Sequence, residues 1–139
     1  MKRFTKILTL TTLLTAASWA SAQSTAPAVQ TLVSGIKIVH TRMGTGVMPV
    51  ATDKVKVHYR GTLPTGAEFD SSYTEDKPAV FPLNKVIRCW TQALQHMKVG
   101  GKATLSCPAE LAYGARGAGD VIPPNTPLTF EVELLGIEK

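Results

Sequence analysis

One short helical period stands among strand periods. Trp90, Ala93, Leu94 and Met97 recur at i, i+3, i+4 and i+7, the spacing of a single apolar helical face. Gly100-Gly101 follows and stops the helix, because glycine takes a left-handed backbone at little steric cost. On both sides the period is two. Val55, Val57 and Tyr59 alternate with Lys54, Lys56, His58 and Arg60. Leu128, Phe130, Val132 and Leu134 alternate with Thr129, Glu131 and Glu133. Lys102 to Cys107 alternates too, one register placing Ala103, Leu105 and Cys107 on one face. A first strand is predicted from Ile36 to about Met43, a short one at Phe69-Asp70-Ser71-Ser72, and the apolar pattern resumes at Phe81 and Leu83. Many half-apolar strands and one short amphipathic helix can hide their apolar faces together if the sheet folds over the helix. The expected class is α+β, an antiparallel sheet wrapped around one helix. Trp90, at the first turn of that helix, is then either core packing or the floor of a pocket.

The chain begins with a different kind of segment. Lys2, Arg3 and Lys6 precede a mostly apolar run, Ile7 to Ala17, and Ala20-Ser21-Ala22 supplies small residues. This is the pattern of a secretory signal peptide over 1–22, cleaved after Ala22. The apolar run is short of the roughly 20 residues a membrane span needs, and no cysteine follows it to carry a lipid. An exported chain with no membrane attachment is expected, in the periplasm if the cell is Gram-negative. Residues 23–32, polar and small, are expected to form a disordered leader, leaving one domain over 33–139. Three of the fifteen basic residues lie in the signal, so twelve face ten acidic residues in the remainder. With no basic stripe interleaved with aromatics, nucleic acid is not an expected partner.

The remaining motifs exclude more than they assign. Gly114-Ala115-Arg116-Gly117-Ala118-Gly119 is glycine-rich, but Pro123-Pro124 and a strand follow it where a phosphate loop needs a helix N-terminus. His40, His58 and His96 are scattered, and no close Cys/His pair supports a metal site. Cys89 and Cys107 are the only cysteines. Two cysteines in an oxidising compartment match one disulfide; the other arrangement is two buried thiols.

Six quoted stretches stand in one order: Val57-His58-Tyr59-Arg60-Gly61, Gly66-Ala67-Glu68-Phe69-Asp70-Ser71-Ser72, Val86-Ile87 with Trp90, Leu111-Ala112-Tyr113-Gly114, Ile122-Pro123-Pro124-Asn125, and Phe130-Glu131-Val132-Glu133-Leu134-Leu135. Together they resemble an FKBP-type peptidyl-prolyl cis-trans isomerase, over about Lys54 to Glu138. The resemblance implies a half-barrel of five or six antiparallel strands around the helix, with a shallow apolar pocket floored by Trp90. It implies walls at Tyr59, Phe69, Phe81, Val86, Ile87, Tyr113, Val121, Ile122 and Phe130. It further implies polar contacts from Asp70 and the Tyr113 hydroxyl, and a donor at the Ile87 N–H. In catalysis Asp70, Tyr113, Tyr59, Phe69, Trp90 and Phe130 would act, with no cofactor or metal. The implied partners are proline-containing unfolded or nascent exported polypeptides, with rapamycin-type macrolides as inhibitors. A non-catalytic proline-binding module or a holdase chaperone is the alternative. The segment before the first strand leaves no room for the dimerising helical region of some members, so a monomer is expected. Three positions depart from the family pattern. Glu75 stands where an arginine is common, with Lys77 as a possible replacement partner for Asp70. Cys89 stands where glycine is common, and Ala118 replaces a bulkier residue of some relatives.

Overall fold

The computed structural model describes residues 28–139; the signal segment and residues 23–27 of the expected leader lie outside the described residues. Seven strands and one helix follow in the order β1 (Ala28–Thr31), β2 (Lys37–Arg42), β3 (Lys54–Thr62), β4 (Glu68–Ser71), β5 (Ala79–Pro82), α1 (Arg88–Leu94), β6 (Lys102–Cys107) and β7 (Leu128–Glu138). They form one antiparallel sheet in the order β1-β2-β6-β7-β3-β4, with β5 also paired to β3.

Strand β3 organises that sheet. One of its edges pairs with β7 along its whole length, Lys54↔Glu138 to Thr62↔Thr129. The other edge is shared. β5 takes Lys54 to Val57, and β4 takes Arg60 to Thr62. The chain between β4 and β5 must therefore leave the sheet opposite His58 and Tyr59.

The two sequence periods account for the core. Val55 and Val57 of β3, Ala103, Leu105 and Cys107 of β6, and Leu128, Phe130, Val132 and Leu134 of β7 are buried. Trp90, Ala93, Leu94 and Met97 meet them from the other side. The helix itself has seven residues, too few to persist in water without partners, so packing on the sheet holds it. Met97 lies on the turn after the helix, where the Met97 N–H donates to the Leu94 carbonyl at 3.1 Å. Gly100 then takes φ +90° and its N–H donates to the Leu134 carbonyl at 2.8 Å, returning the chain to the sheet.

Three expectations are corrected at the beginning of the domain. The leader was expected to be disordered through residue 32, yet Ala28–Thr31 pairs with β2 from Ala28↔His40 to Thr31↔Lys37. Backbone hydrogen bonds make this edge strand, and they need no apolar side chains; Val29 is 58% exposed. The tight turn Leu32-Val33-Ser34-Gly35 closes the hairpin, with Gly35 at φ +93° and its N–H donating to the Leu32 carbonyl at 2.9 Å. The sheet accordingly has seven strands rather than five or six. β2 stops at Arg42, just past a register shift between His40 and Arg42, and does not reach Met43.

Cys89 and Cys107 form a disulfide, with Cα atoms 5.7 Å apart and a sequence separation of 18. It ties the first turn of α1 to the end of β6, and both residues are buried. Closing a loop of this length stabilises a fold by roughly 3 kcal/mol in the chain-entropy account. Protein refolded under reductant should therefore unfold at a clearly lower urea concentration than oxidised protein. Coincident unfolding curves would show that the bridge adds nothing.

Candidate functional site

Tyr59 points into the fold because it shares the face of Val55 and Val57. Its backbone is fixed where the chain leaves the sheet. The Tyr59 N–H donates to the buried Ser72 hydroxyl at 2.7 Å, and the Ser72 N–H donates to the Tyr59 carbonyl at 3.0 Å. His58 Nδ1 lies 2.9 Å from the same hydroxyl. The Tyr59 ring thus stands over the helix.

Four further rings complete the enclosure. Tyr59, Phe81 and Phe130 stand nearly perpendicular to the Trp90 indole, with centroids at 5.1, 5.8 and 5.3 Å. Phe69 meets Phe130 edge-on at 5.6 Å. Such perpendicular pairs suit the ring quadrupole and add about 0.5–1.5 kcal/mol each beyond area burial. Trp90 is 4% exposed and its Nε1 has no hydrogen-bond partner among the described residues. The floor is therefore positioned by ring packing and not by a polar anchor. Gly61 makes the corner possible: a Cβ there would sit 2.5 Å from Phe69 Cζ and 2.9 Å from Phe130 Cε1.

These rings line a hollow of about 350 Å³, together with Asp70, Lys85, Val86, Ile87 and Tyr113. Val86 and Ile87 come from the turn leading into α1, whose first N–H donors bond the Ile87 carbonyl. The Ile87 N–H itself makes no hydrogen bond among the described residues. Asp70 is held by the Tyr59 hydroxyl, which donates to its Oδ2 at 2.6 Å. Burial, then this hydrogen bond and the Asp70 charge, push the Tyr59 phenol well above its ordinary range. Burial, then the Asp70 charge, raise the Tyr113 phenol as well. Among the described residues no group of three His, Cys, Asp or Glu side chains converges as a metal cage would.

Val121 and Ile122, expected in the wall, are not among the residues that line the hollow. Ile122 is buried in the same apolar cluster as Trp90 and Phe130, and Val121 is 54% exposed to solvent. The cause is the loop closure. Ala118 and Ile122 exchange backbone hydrogen bonds at 2.8 and 3.0 Å, with Gly117 at φ +65° turning the chain beneath them. That bridge tucks Ile122 inward and leaves its neighbour outside. The suggested replacement of arginine by Lys77 is also absent. Asp70 makes no ion pair among the described residues, and its partner is Tyr59. Lys85, which does line the hollow, carried no signal in the sequence beyond its place before Val86.

The fold and the site define a class: a half-barrel sheet whose one helix floors an aromatic ligand hollow. The sequence profile of the FKBP-type peptidyl-prolyl cis-trans isomerases matches residues 46–135, and the chain belongs to that family. A peptidyl-prolyl cis-trans isomerase crystal structure from Pseudomonas syringae pv. tomato superposes with a TM-score of 0.76 at 46% identity, covering 81% of this chain and 83% of that one. The FKBP-type isomerase FkpA of Aeromonas hydrophila is 53% identical over 111 residues, 80% of this chain and 41% of its own length. The FKBP-type 22 kDa isomerase of Escherichia coli is 50% identical over 109 residues, 78% and 53% of the two chains. The chain thus spans about half the length of the curated relatives it matches.

A raised phenol contributes stability that is whole below the unfolded value, about pH 10, and is lost as pH rises above it. The urea midpoint of the wild type should therefore fall above about pH 10, and the advantage of the wild type over Tyr59→Phe should shrink in the same range. A difference between the two that stays constant through that range would show that the Tyr59–Asp70 bond does not govern it.

Proposed function

We propose that this protein accelerates cis–trans rotation about X-Pro bonds in exported polypeptides. The observation that carries the proposal is the ring-walled hollow over Trp90, whose lining also includes the exposed Asp70, Lys85 and Tyr113. An X-Pro bond prefers trans by only about 0.5–1 kcal/mol, yet its rotation faces a barrier of about 18–20 kcal/mol. That barrier is the loss of amide resonance. Water bonded to the amide oxygen stabilises the planar, charge-separated form. A dry hollow that removes this water favours the twisted amide over either planar one, which is selective binding of the transition state.

In this scheme Trp90, Tyr59, Phe81 and Phe130 enclose the proline ring, Phe69 backs Phe130, and Val86 lines the entrance. The unengaged Ile87 N–H donates to a substrate carbonyl. Asp70, oriented by Tyr59, and the Tyr113 hydroxyl fix the twisted peptide from the opposite lip. The reaction breaks no covalent bond, so no nucleophile is required. Rapamycin-type macrolides compete for the same hollow. The signal pattern of residues 1–22 supports delivery to the periplasm, with cleavage after Ala22, and among the described residues no helix is long and apolar enough to cross a membrane. Unfolded, proline-containing exported chains are the substrates this location supplies.

The decisive measurement is the cis-to-trans rate of an Ala-Phe-Pro type peptide with and without macrolide. Acceleration that the macrolide abolishes is expected. Macrolide binding without acceleration would leave the hollow a binding module only. Trp90→Leu keeps an apolar residue on the helix but removes a floor worth roughly 1.4 kcal/mol of ring contact, so kcat/KM should fall about ten-fold. An unchanged kcat/KM would remove Trp90 from the site.

A further inference from the structure

A second hollow, of about 550 Å³, adjoins the first and shares Tyr59 and Asp70 with it. Because Tyr59 and Asp70 line both hollows, a chain whose proline sits over Trp90 would carry a neighbouring side chain toward the second. The far side of the second hollow is the segment that leaves the sheet between β4 and β5. Its walls are of two kinds. Pro78, Ala79 and Val80 give an apolar side, with Val80 41% exposed. Asp70 and Glu75 give two carboxylates, neither in an ion pair among the described residues.

The segment is held in shape. The Asp76 N–H donates to the Tyr73 carbonyl at 3.0 Å and the Lys77 N–H to the Ser72 carbonyl at 3.3 Å. The Tyr73 ring stacks on His58 at 4.6 Å with an interplanar angle of 11°. Glu75 is therefore carried on a fixed turn and does not depend on a mobile loop to reach the hollow.

We propose that this second hollow is a subsite for a lysine or arginine flanking the X-Pro bond, with Glu75 as a specificity-determining residue. The proposal rests on the isomerase reading of the first hollow. An apolar wall and two carboxylates match a side chain with a hydrocarbon stem and a cationic head. An aliphatic side chain would satisfy only the first, and an acidic one would be repelled by both carboxylates. The negative charges also reach the prolyl site: after burial, the largest cause, Asp70 and, more weakly, Glu75 add to the rise of the Tyr59 phenol. Lys77 is the one cation among the residues lining this hollow, and it opposes the preference without cancelling two carboxylates.

Two labelled peptide series test this. Lysine, leucine or glutamate is placed next to the X-Pro pair, before it in one series and after it in the other. Binding is read by fluorescence anisotropy at low salt, and isomerisation is read on the same peptides. In one of the two series the lysine peptide should bind about three-fold tighter than the leucine peptide and the glutamate peptide more weakly than either, as expected for exposed charge pairs. Glu75→Gln should shrink the lysine-to-glutamate ratio, Lys77→Gln should enlarge it, and added salt should erase it. A purely structural role for these residues would not move the ratio in opposite directions. Equal binding of all three peptides in both series, or a ratio unmoved by Glu75→Gln and Lys77→Gln, would overturn the subsite while leaving the isomerase reading intact. Charge-dependent binding without acceleration of any peptide would support the subsite and remove the catalysis.

Discussion

Trp90 is held by contacts that carry no direction of their own. Its Nε1 is buried without a partner among the described residues, and three perpendicular rings and the sheet beneath are what stop it from moving. A seven-residue helix is a weak platform for such a residue. The disulfide at Cys89, one residue upstream, supplies what the helix lacks. It fixes the first turn of α1 to β6 by a covalent link, so the indole cannot lift from the sheet without straining that link. A site walled by rings depends on this more than a polar site would. Ring contacts weaken within a fraction of an ångström of separation, whereas a charge pair falls off slowly with distance.

The same dependence explains why the polar groups stand at the lip. A carboxylate inside the ring enclosure would have to be desolvated at a cost of several kcal/mol, or protonated. Asp70 is exposed to solvent while accepting the Tyr59 hydroxyl at 2.6 Å. Tyr59 therefore serves both halves of the site. Its ring is a wall, and its oxygen orients the carboxylate. The shift of its phenol is the electrostatic record of that double placement.

What was legible in the sequence was whatever is written in side-chain period. The buried faces of β3, β6 and β7 and the four apolar residues around α1 were visible as alternation or helical spacing, and the same residues form the core. The family pattern supplied the hollow's rings, which sit on five separate elements and have no local signature. What was not legible depended on backbone. β1 is made of main-chain hydrogen bonds on a sequence with little apolar character. Val121 and Ile122 are adjacent and both aliphatic, so nothing in their chemistry tells which one the Ala118 bridge turns inward. The partner of Asp70 was sought among cations because the family commonly carries an arginine where Glu75 stands, and Lys77 is the nearest replacement. The phenol that holds it comes from the neighbouring strand, eleven residues earlier.

The alternation along β3 also links the two faces of the sheet. His58 points outward and Tyr59 inward, and Ser72 touches both: its hydroxyl accepts from the Tyr59 N–H and lies 2.9 Å from His58 Nδ1. Tyr73, the next residue, folds over the outer face and stacks on His58. The segment between β4 and β5 is thus gripped from outside the sheet while its far side borders the hollows within. A sheet with one β-strand continuous along that edge would have no such segment, because main-chain pairing would satisfy His58 and Tyr59. The shared edge of β3 exchanges two residues of strand pairing for a rim, and the buried Ser72 hydroxyl takes over the hydrogen bonds that the missing strand would have made.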